Sequence, residues 1–534
     1  MLKKLLSVIV ISTLSALSVF AQTNADLEMQ FKKFNTLLYQ LDRNYVDTVN
    51  LEKVVEKSIR EMLQELDPHS VYIPEKELKK MNEPLEGNFE GIGIQFNILK
   101  DTITVVSPIP GGPSEKLGIR ASDKIIKIED EVVAGIGVTN SMVIERLRGK
   151  KGTIVNVSIK RRGENELLDY AIERDKIPIF SVDASYMGDD ETGYIKINRF
   201  AAQTADEFRE AVTKLKAQGM KNLILDLQGN GGGYLRAAVD IADELIDGNK
   251  LLVYTQGRTQ PKQDLLAGQP GLFETGKLVV LVDEGSASAS EIVSGAVQDW
   301  DRGLIVGRRT FGKGLVQKPF MLPDGSAVRM TVSRYYTPSG RCIQKPYKDG
   351  IEQYYRERFE RYTSGEMFSL DSIELPDSLK FQTANNRTVY GGGGILPDVF
   401  VPFDTSESSS YFSAMVRKGI INDYALEYSD GNRRKLKKQF PDMVAFKAGF
   451  NVNEEMMNEM IKQAEKAKIE FVETDFIKSK NIIETRFKAL LARSLYESEA
   501  FYYIINDLNE SYQKALKVLQ DGTYSKMKLA QNKN

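Results

Sequence analysis

The apolar positions change period three times along the chain. Between residues 26 and 66 they recur every three or four positions, through Phe34, Leu37, Leu38, Leu41 and Tyr45, then Val54, Val55, Ile59, Met62 and Leu63. That spacing predicts amphipathic helices that stop at Asp67-Pro68. From 86 to about 175, short apolar runs (GIGIQFNI, TITVVSPI, DKIIKIED, TIVNVSIKR) alternate with Gly, Pro and Asn. They predict a small β-rich domain with one helix near 141–147. From about 177 to 340, strand-like runs such as TGYIKINRF and NLILDLQ alternate with helix-like ones such as ADEFREAVTKLKAQG and GYLRAAVDIADELID. This order predicts an α/β layered core. Residues 345–385 are polar and irregular and read as an excursion from that core, and GGGGILPD at 391–398 marks a sharp turn back to it. After about 405 the pattern is helical and highly charged, with the last dozen residues expected to fray.

Composition narrows the picture. A chain of 534 residues is too long for one core, and 42% hydrophobic with 27% charged residues is ordinary for a soluble globular protein. With 72 basic against 74 acidic side chains there is no basic excess that points to nucleic acid. Lys3 and Lys4 precede an apolar stretch at 5–20, with Val19 and Ala21 as small residues before a cut, the layout of a secretory signal peptide cleaved after Ala21. An uncleaved anchor is the alternative, but five Ser/Thr residues interrupt a run already shorter than the roughly 20 residues a span needs. Removing the leader takes the net charge from −2 to −4. The expected location is the periplasm, soluble or membrane-associated. The expected domains are the signal peptide at 1–21, an N-terminal helical domain at 22–85, the β-rich domain at 86–175, the α/β core at 176–402 and a C-terminal helical region at 403–534.

Cysteine and histidine are almost absent. Cys342 alone allows no internal disulfide, and His69 is the single histidine, so a metal site of several His or Cys ligands is excluded by count. No cofactor is implied. A Ser-His-Asp triad would have to use His69, which follows a helix in LDPHS, where a turn or capping role suits it better. Serine activated by lysine is the nucleophilic chemistry that remains.

Residues 285–317 offer that pair. The buried strand KLVVLV leads through a turn into SASASEIVSGAVQDW, a helix whose first turn has free N–H groups able to hold an oxyanion. Ser288-x-x-Glu291 also fits a capping box, and spacing does not choose among Ser286, Ser288 and Ser290. Lys313 lies between two glycines in a tight turn, where the plain reading is a solvated charge. A lysine acting as general base must be neutral, which costs roughly 4 kcal/mol and requires burial. The glycine-rich DLQGNGGG at 226–233 follows a strand and opens a helix, so its N–H groups can approach an anion. Neither the dinucleotide-binding nor the P-loop spacing is present. The two S-x-x-K pairs, Ser511/Lys514 and Ser525/Lys528, have no accompanying S-D-N or K-T-G.

Together these segments resemble the carboxyl-terminal processing proteases (tail-specific serine proteases, peptidase family S41). The resemblance covers most of 30–402 and rests on Tyr45-Val46-Asp47, LDPHSVY at 66–72, EGIGI at 90–94, LRGKKGT at 147–153, LDLQGNGGG, GSASASEI, GRRTFGKGLVQ, YYTPSGR and GGGGILPD. It implies a multidomain α/β protein: a β-rich PDZ domain inserted between the N-terminal helical segment and an α/β crotonase-like (ClpP-like) protease core. It also implies Ser288 as nucleophile, Lys313 as general base and Gln317 as the group orienting the lysine. Ala289, with Gly232 or its neighbour, would form the oxyanion hole. Gly91, Ile92, Gly93 and Ile94 match the PDZ loop that holds a peptide carboxylate while the peptide adds as a strand. The implied partners are protein or peptide C-termini, cleaved through an acyl-enzyme, with an activating adaptor and a homo-oligomer left open. By analogy Arg148 would link domains, with a surface arginine as the plain reading. Gln228 and Gly231 replace the family's Arg and Pro, which favours a more flexible loop. The competing classes are a PDZ adaptor on an inactive protease scaffold and a crotonase-like acyl-transfer enzyme, the latter without explanation for the PDZ-like segment.

Overall fold

The computed structural model describes residues 25–373, 376–527 and 529; the signal peptide expected at 1–21 lies outside them. The chain divides into two compact units, one of residues up to Pro74 with Pro319–Met330, the other of Glu75–Lys318 with Thr331 onward. Among the described residues no helix is long and apolar enough to cross a membrane.

In the smaller unit, helices span 25–44 and Leu51–Gln64. Asn50 caps the second by accepting from the Lys53 N–H at 3.0 Å. Leu27, Phe31, Leu37 and Tyr39 on the first remain exposed. Strand Val71–Ile73 pairs antiparallel with 327–329, Val71 opposite Arg329. His69 sits in a turn closed by Asp67, whose carboxylate accepts from the N–H groups of His69 (2.8 Å) and Ser70 (2.9 Å).

The larger unit begins with the β domain. Its main sheet runs in the order Ile94–Leu99, Thr102–Pro108, Lys124–Ile128, Ile154–Lys160, Leu168–Glu173, which leaves Ile94–Leu99 on an edge. Alternate residues Ile103, Val105, Ile125, Val157 and Ile159 fill its core, with Val143 and Leu147 from helix Asn140–Leu147.

The central sheet has the order Val182–Met187, Thr192–Ile197, Asn222–Asp226, Leu278–Val282, Leu304–Gly307, Val399–Phe400. Its first pair is antiparallel and the others are parallel. Parallel strands must be covered on both faces, which is why LIL at 223–225 and LVVLV at 278–282 are unbroken apolar runs. Leu223 and Leu225 pack with helices Thr204–Ala217, Leu235–Asp243 and Ala289–Asp299, while Ile224, Val279 and Leu281 belong to the opposite face. That opposite face is covered by Tyr512, Ala515, Val518 and Leu519 of helix Glu510–Gln520. The end of the C-terminal region is therefore a second layer on the central sheet. Of the last dozen residues expected to fray, Thr523–Lys526 form a helix instead, anchored where the Leu278 N–H donates to the Tyr524 hydroxyl (3.0 Å), while 528 and 530–534 lie outside the described residues.

Residues 345–385 are also more regular than their polarity suggests. They contain helix Ile351–Thr363, with Tyr354 and Arg361 buried. The remaining C-terminal helices, among them Ile420–Gln439 and the long Glu473–Ile505, enclose their own core around Tyr424, Phe446 and Phe487.

Candidate active site

Strand Leu278–Val282 delivers the chain through a turn to helix Ala289–Asp299, and Ser288 occupies the junction with φ 55° and ψ −110°. A non-glycine residue adopts such angles only where its surroundings enforce them, and the result is a side chain lifted clear of strand and helix. Packing separates the three serines. Ser286 and Ser290 are fully buried, their hydroxyls donating to the carbonyls of Leu227 and Asn230, both at 2.8 Å. Ser288 is half-buried. The Glu291 N–H is taken by the Ser288 carbonyl at 2.9 Å, so the first helical turn is closed through the backbone.

Two side chains tie Ser288 to Lys313. Glu291, fully buried, accepts four hydrogen bonds. Oε2 takes the N–H groups of Ser288 (2.7 Å) and Lys313 (2.9 Å), and Oε1 takes the Gly312 N–H (2.7 Å) and the Thr310 hydroxyl (2.5 Å). Burial holds its pKa above the usual glutamate range against the pull of those donors. From the other side, the Tyr335 hydroxyl lies 3.0 Å from the Ser288 carbonyl oxygen and 2.6 Å from that of Lys313. Burial pushes the phenol's pKa well up, which keeps it a donor. One residue thus clamps the N–H groups of the pair and another clamps their carbonyls.

The lysine turn has further support that composition concealed. Arg361 donates to the carbonyls of Thr310 (2.8 Å) and Phe311 (3.1 Å), and the Lys345 N–H donates to the Gly312 carbonyl (2.9 Å). Glu357 pairs with both Arg361 and Lys345 at 2.7 Å. Tyr354, Glu357 and Arg361 recur at helical spacing, the signal by which this helix could have been found. Gln317, on strand Leu315–Met321, donates its amide to Thr331 Oγ1 at 3.3 Å.

The loop at 229–233 is fixed by its asparagine. The Asn230 amide donates to the Ile197 carbonyl (3.0 Å), and its carbonyl accepts from the Ala287 N–H (2.9 Å). Gly232, expected as an oxyanion donor, directs its own N–H to Asn230 Oδ1 at 2.9 Å. Its carbonyl accepts from the Phe200 N–H (3.0 Å), so the Gly233 N–H of that trans peptide points the opposite way. Neither the Gly233 nor the Ala289 N–H meets an acceptor among the described residues. Gly232 itself is wedged against the elbow: at φ 100°, a Cβ there would lie 2.8 Å from both Ser288 Cβ and the Ala287 carbonyl oxygen.

In the β domain, the Ile92 carbonyl accepts from the N–H (3.1 Å) and hydroxyl (2.6 Å) of Ser114, and the Gly93 carbonyl accepts from the Ile109 N–H (2.9 Å). The Gly93 and Ile94 N–H groups, trans to those carbonyls, face away from these partners and start the open edge strand Ile94–Leu99. Gly91 is held in the ribbon Asn88–Gly91, opposite Asp175. Arg148 makes an ion pair with Glu83 and lies over the Phe89 ring.

A strained serine at a strand–helix elbow, coupled to a lysine turn and preceded by a β domain with an open edge strand, is an arrangement suited to serine-peptidase chemistry. Comparison with known proteins agrees. Residues 191–355 match Peptidase family S41, 91–172 match the PDZ domain, and 411–497 match a family of unknown function, DUF8443. The chain is 35% identical over 341 residues to the carboxy-terminal processing protease CtpA of Bacillus subtilis, covering 62% of this chain and 72% of that one. It is 31% identical over 410 residues to CtpB of the same organism, covering 76% and 82%. Among solved structures it is similar to the photosystem II D1 C-terminal processing protease, at 28% identity and a TM-score of 0.35, covering 69% of this chain and 92% of that one. The chain belongs to the carboxy-terminal processing proteases of peptidase family S41 and is a serine-type peptidase with a PDZ domain.

Proposed function

We propose that the chain is an endopeptidase that takes protein C-terminal tails on its PDZ edge strand and cuts them with a Ser288/Lys313 dyad. The observation that carries the reading is the double clamp of Glu291 and Tyr335, which couples the backbones of two residues 25 positions apart. Ser288 Oγ attacks the scissile carbonyl carbon while its proton passes to Lys313 Nζ. The C–N bond then breaks and the amine leaves with that proton; water gives a proton to Lys313 as its oxygen attacks the ester carbon, the C–Oγ bond breaks, and Lys313 returns the proton to Ser288 Oγ. The Ala289 and Gly233 N–H groups are suited to the developing oxyanion, and Gln317 to setting the lysine's orientation. A terminal carboxylate would accept from the Gly93 and Ile94 N–H groups as the tail extends Ile94–Leu99 as a further strand. With the leader pattern at 1–21, the activity belongs in the periplasm.

Purified wild type, Ser288→Ala and Lys313→Ala should be incubated with an unfolded protein bearing a free or an amidated C-terminus. The expected result is cleavage by wild type alone, slowed by amidation. Wild-type cleavage by either variant removes the dyad; retained tail binding with no cleavage by wild type favours the adaptor reading.

A further inference from the structure

The C-terminal helices reach the loop proposed to hold the oxyanion. At the junction between helices Glu473–Ile505 and Glu510–Gln520, Asn509 donates from Nδ2 to Gln228 Oε1 at 2.9 Å. Its Oδ1 caps the second helix by accepting from the Tyr512 N–H at 3.3 Å. Gln228 is the last residue before the glycine-rich loop, and the rest of it is equally held. Its N–H donates to Asp226 Oδ1 (2.8 Å), and its carbonyl accepts from Lys196 Nζ (2.5 Å), a lysine that also pairs with the buried Asp226 at 3.0 Å. Behind Asn509, Asn506 Oδ1 accepts from the Asn509 amide (3.3 Å) while the Asn506 amide donates to the Tyr186 hydroxyl (2.7 Å) on the sheet's edge strand. A polar chain therefore runs from the C-terminal junction and the sheet edge to the residue that leads into the loop.

Asn230 holds the middle of the loop, whereas Gly229, Gly231, Gly232 and Gly233 on either side of it add little stiffness, so an anchor at the loop's entry further limits how far its N–H groups can swing. We infer that Asn509 is a positioning residue for the peptidase reaction: through Gln228 it keeps the loop at 229–233 in register with Ser288, which makes the C-terminal helical region part of the catalytic apparatus. This rests on the function proposed above.

Kinetics on a tail-bearing unfolded substrate test it. Asn509→Ala, which loses the donor, should lower kcat about five- to tenfold with KM unchanged, the value of one hydrogen bond to a positioning group. Gln228→Glu keeps a donor opposite an acceptor and should lose less than Asn509→Ala; Asn509→Asp can take a bond from the Gln228 amide once that turns but sets a carboxylate against Asn506 Oδ1, and should fall between the two. Combining Gln228→Glu with Asn509→Asp opposes two carboxylates and should lower kcat at least as far as Asn509→Ala. Wild-type kcat in the combined variant overturns the inference, as does a loss of equal size in all four, which would mark a purely structural contact. Ser288→Ala, assayed alongside, keeps the two levels apart. Activity in that variant sinks the dyad itself, whereas its inactivity beside a fully active Asn509→Ala sinks only the positioning role.

Discussion

Replacing Glu291 with Gln tests the clamp at the smallest possible scale, one oxygen exchanged for an NH2 group at constant shape. The buried carboxylate faces donors on both oxygens. If the new NH2 turns toward Ser288 and Lys313, two backbone N–H groups lose their acceptor. If it turns toward Thr310 and Gly312, the threonine hydroxyl can reverse and accept, but the Gly312 N–H is orphaned. The second orientation is the cheaper. One orphaned buried donor and the loss of a charge-assisted bond amount to about 2–4 kcal/mol. The two ends of the proposed dyad are what that energy holds, so Glu291→Gln should lower kcat/KM by roughly 30- to 1000-fold. Its thermal unfolding midpoint should fall by only a few degrees, because the surrounding core is untouched. Steady-state cleavage of an unfolded, tail-bearing substrate, with a thermal melt of the same preparation, supplies both numbers. Near-wild-type kcat/KM in a folded Glu291→Gln protein would refute the idea that this carboxylate registers serine against lysine.

Neighbouring glycines should differ sharply: Gly232→Ala drives a Cβ into Ser288 and should lose at least about 100-fold in kcat by displacing the elbow, whereas Gly231→Ala meets open space and should stay within about twofold, as read by the same assay. Asp423, on helix Ile420–Gln439, is pushed up to about 6 from 3.8 by burial, against the pull of Lys100 on the PDZ domain. The folded chain therefore holds more protons than the unfolded one between those values, so this group's contribution is most favourable below about 4 and is lost as pH rises through 6. Asp423→Asn should match wild type in urea unfolding near pH 4 and exceed it above pH 7 by less than about 2 kcal/mol, after allowing for solvent screening; a pH-independent difference would contradict the assignment.

What the sequence made legible was local. The short, β-branched run LVVLV, closed by a Gly-containing turn, read as a strand covered on both faces, and the serines after it fell at its junction with a helix. The alternating runs between 86 and 175 likewise carried the β domain. What stayed hidden reaches the site through tertiary contact. Tyr335 lies 47 positions from Ser288, and Asn509 lies 281 from Gln228, with no periodic pattern to link them. Helix Ile351–Thr363 escaped notice because its buried face is built from Tyr, Glu and Arg, whose burial is compensated by ion pairs that composition does not display. The shift of the free N–H from Gly232 to Gly233 depends on two positive φ angles, 100° and 153°, that any pair of glycines permits and none specifies.

Cutting a chain creates a new carboxylate. On the function proposed above, a PDZ edge that takes a terminal carboxylate on the Gly93 and Ile94 N–H groups meets that group both at the original end of a substrate and at the end the cut has just made. The trimmed protein would then be a fresh ligand wherever its last side chains suit the strand position, and the excised tail, which keeps the original terminus, a competitor for it. Such a device favours repeated shortening of a flexible tail and slows as short fragments accumulate. It stops when the new end lies too close to folded structure to extend as a strand.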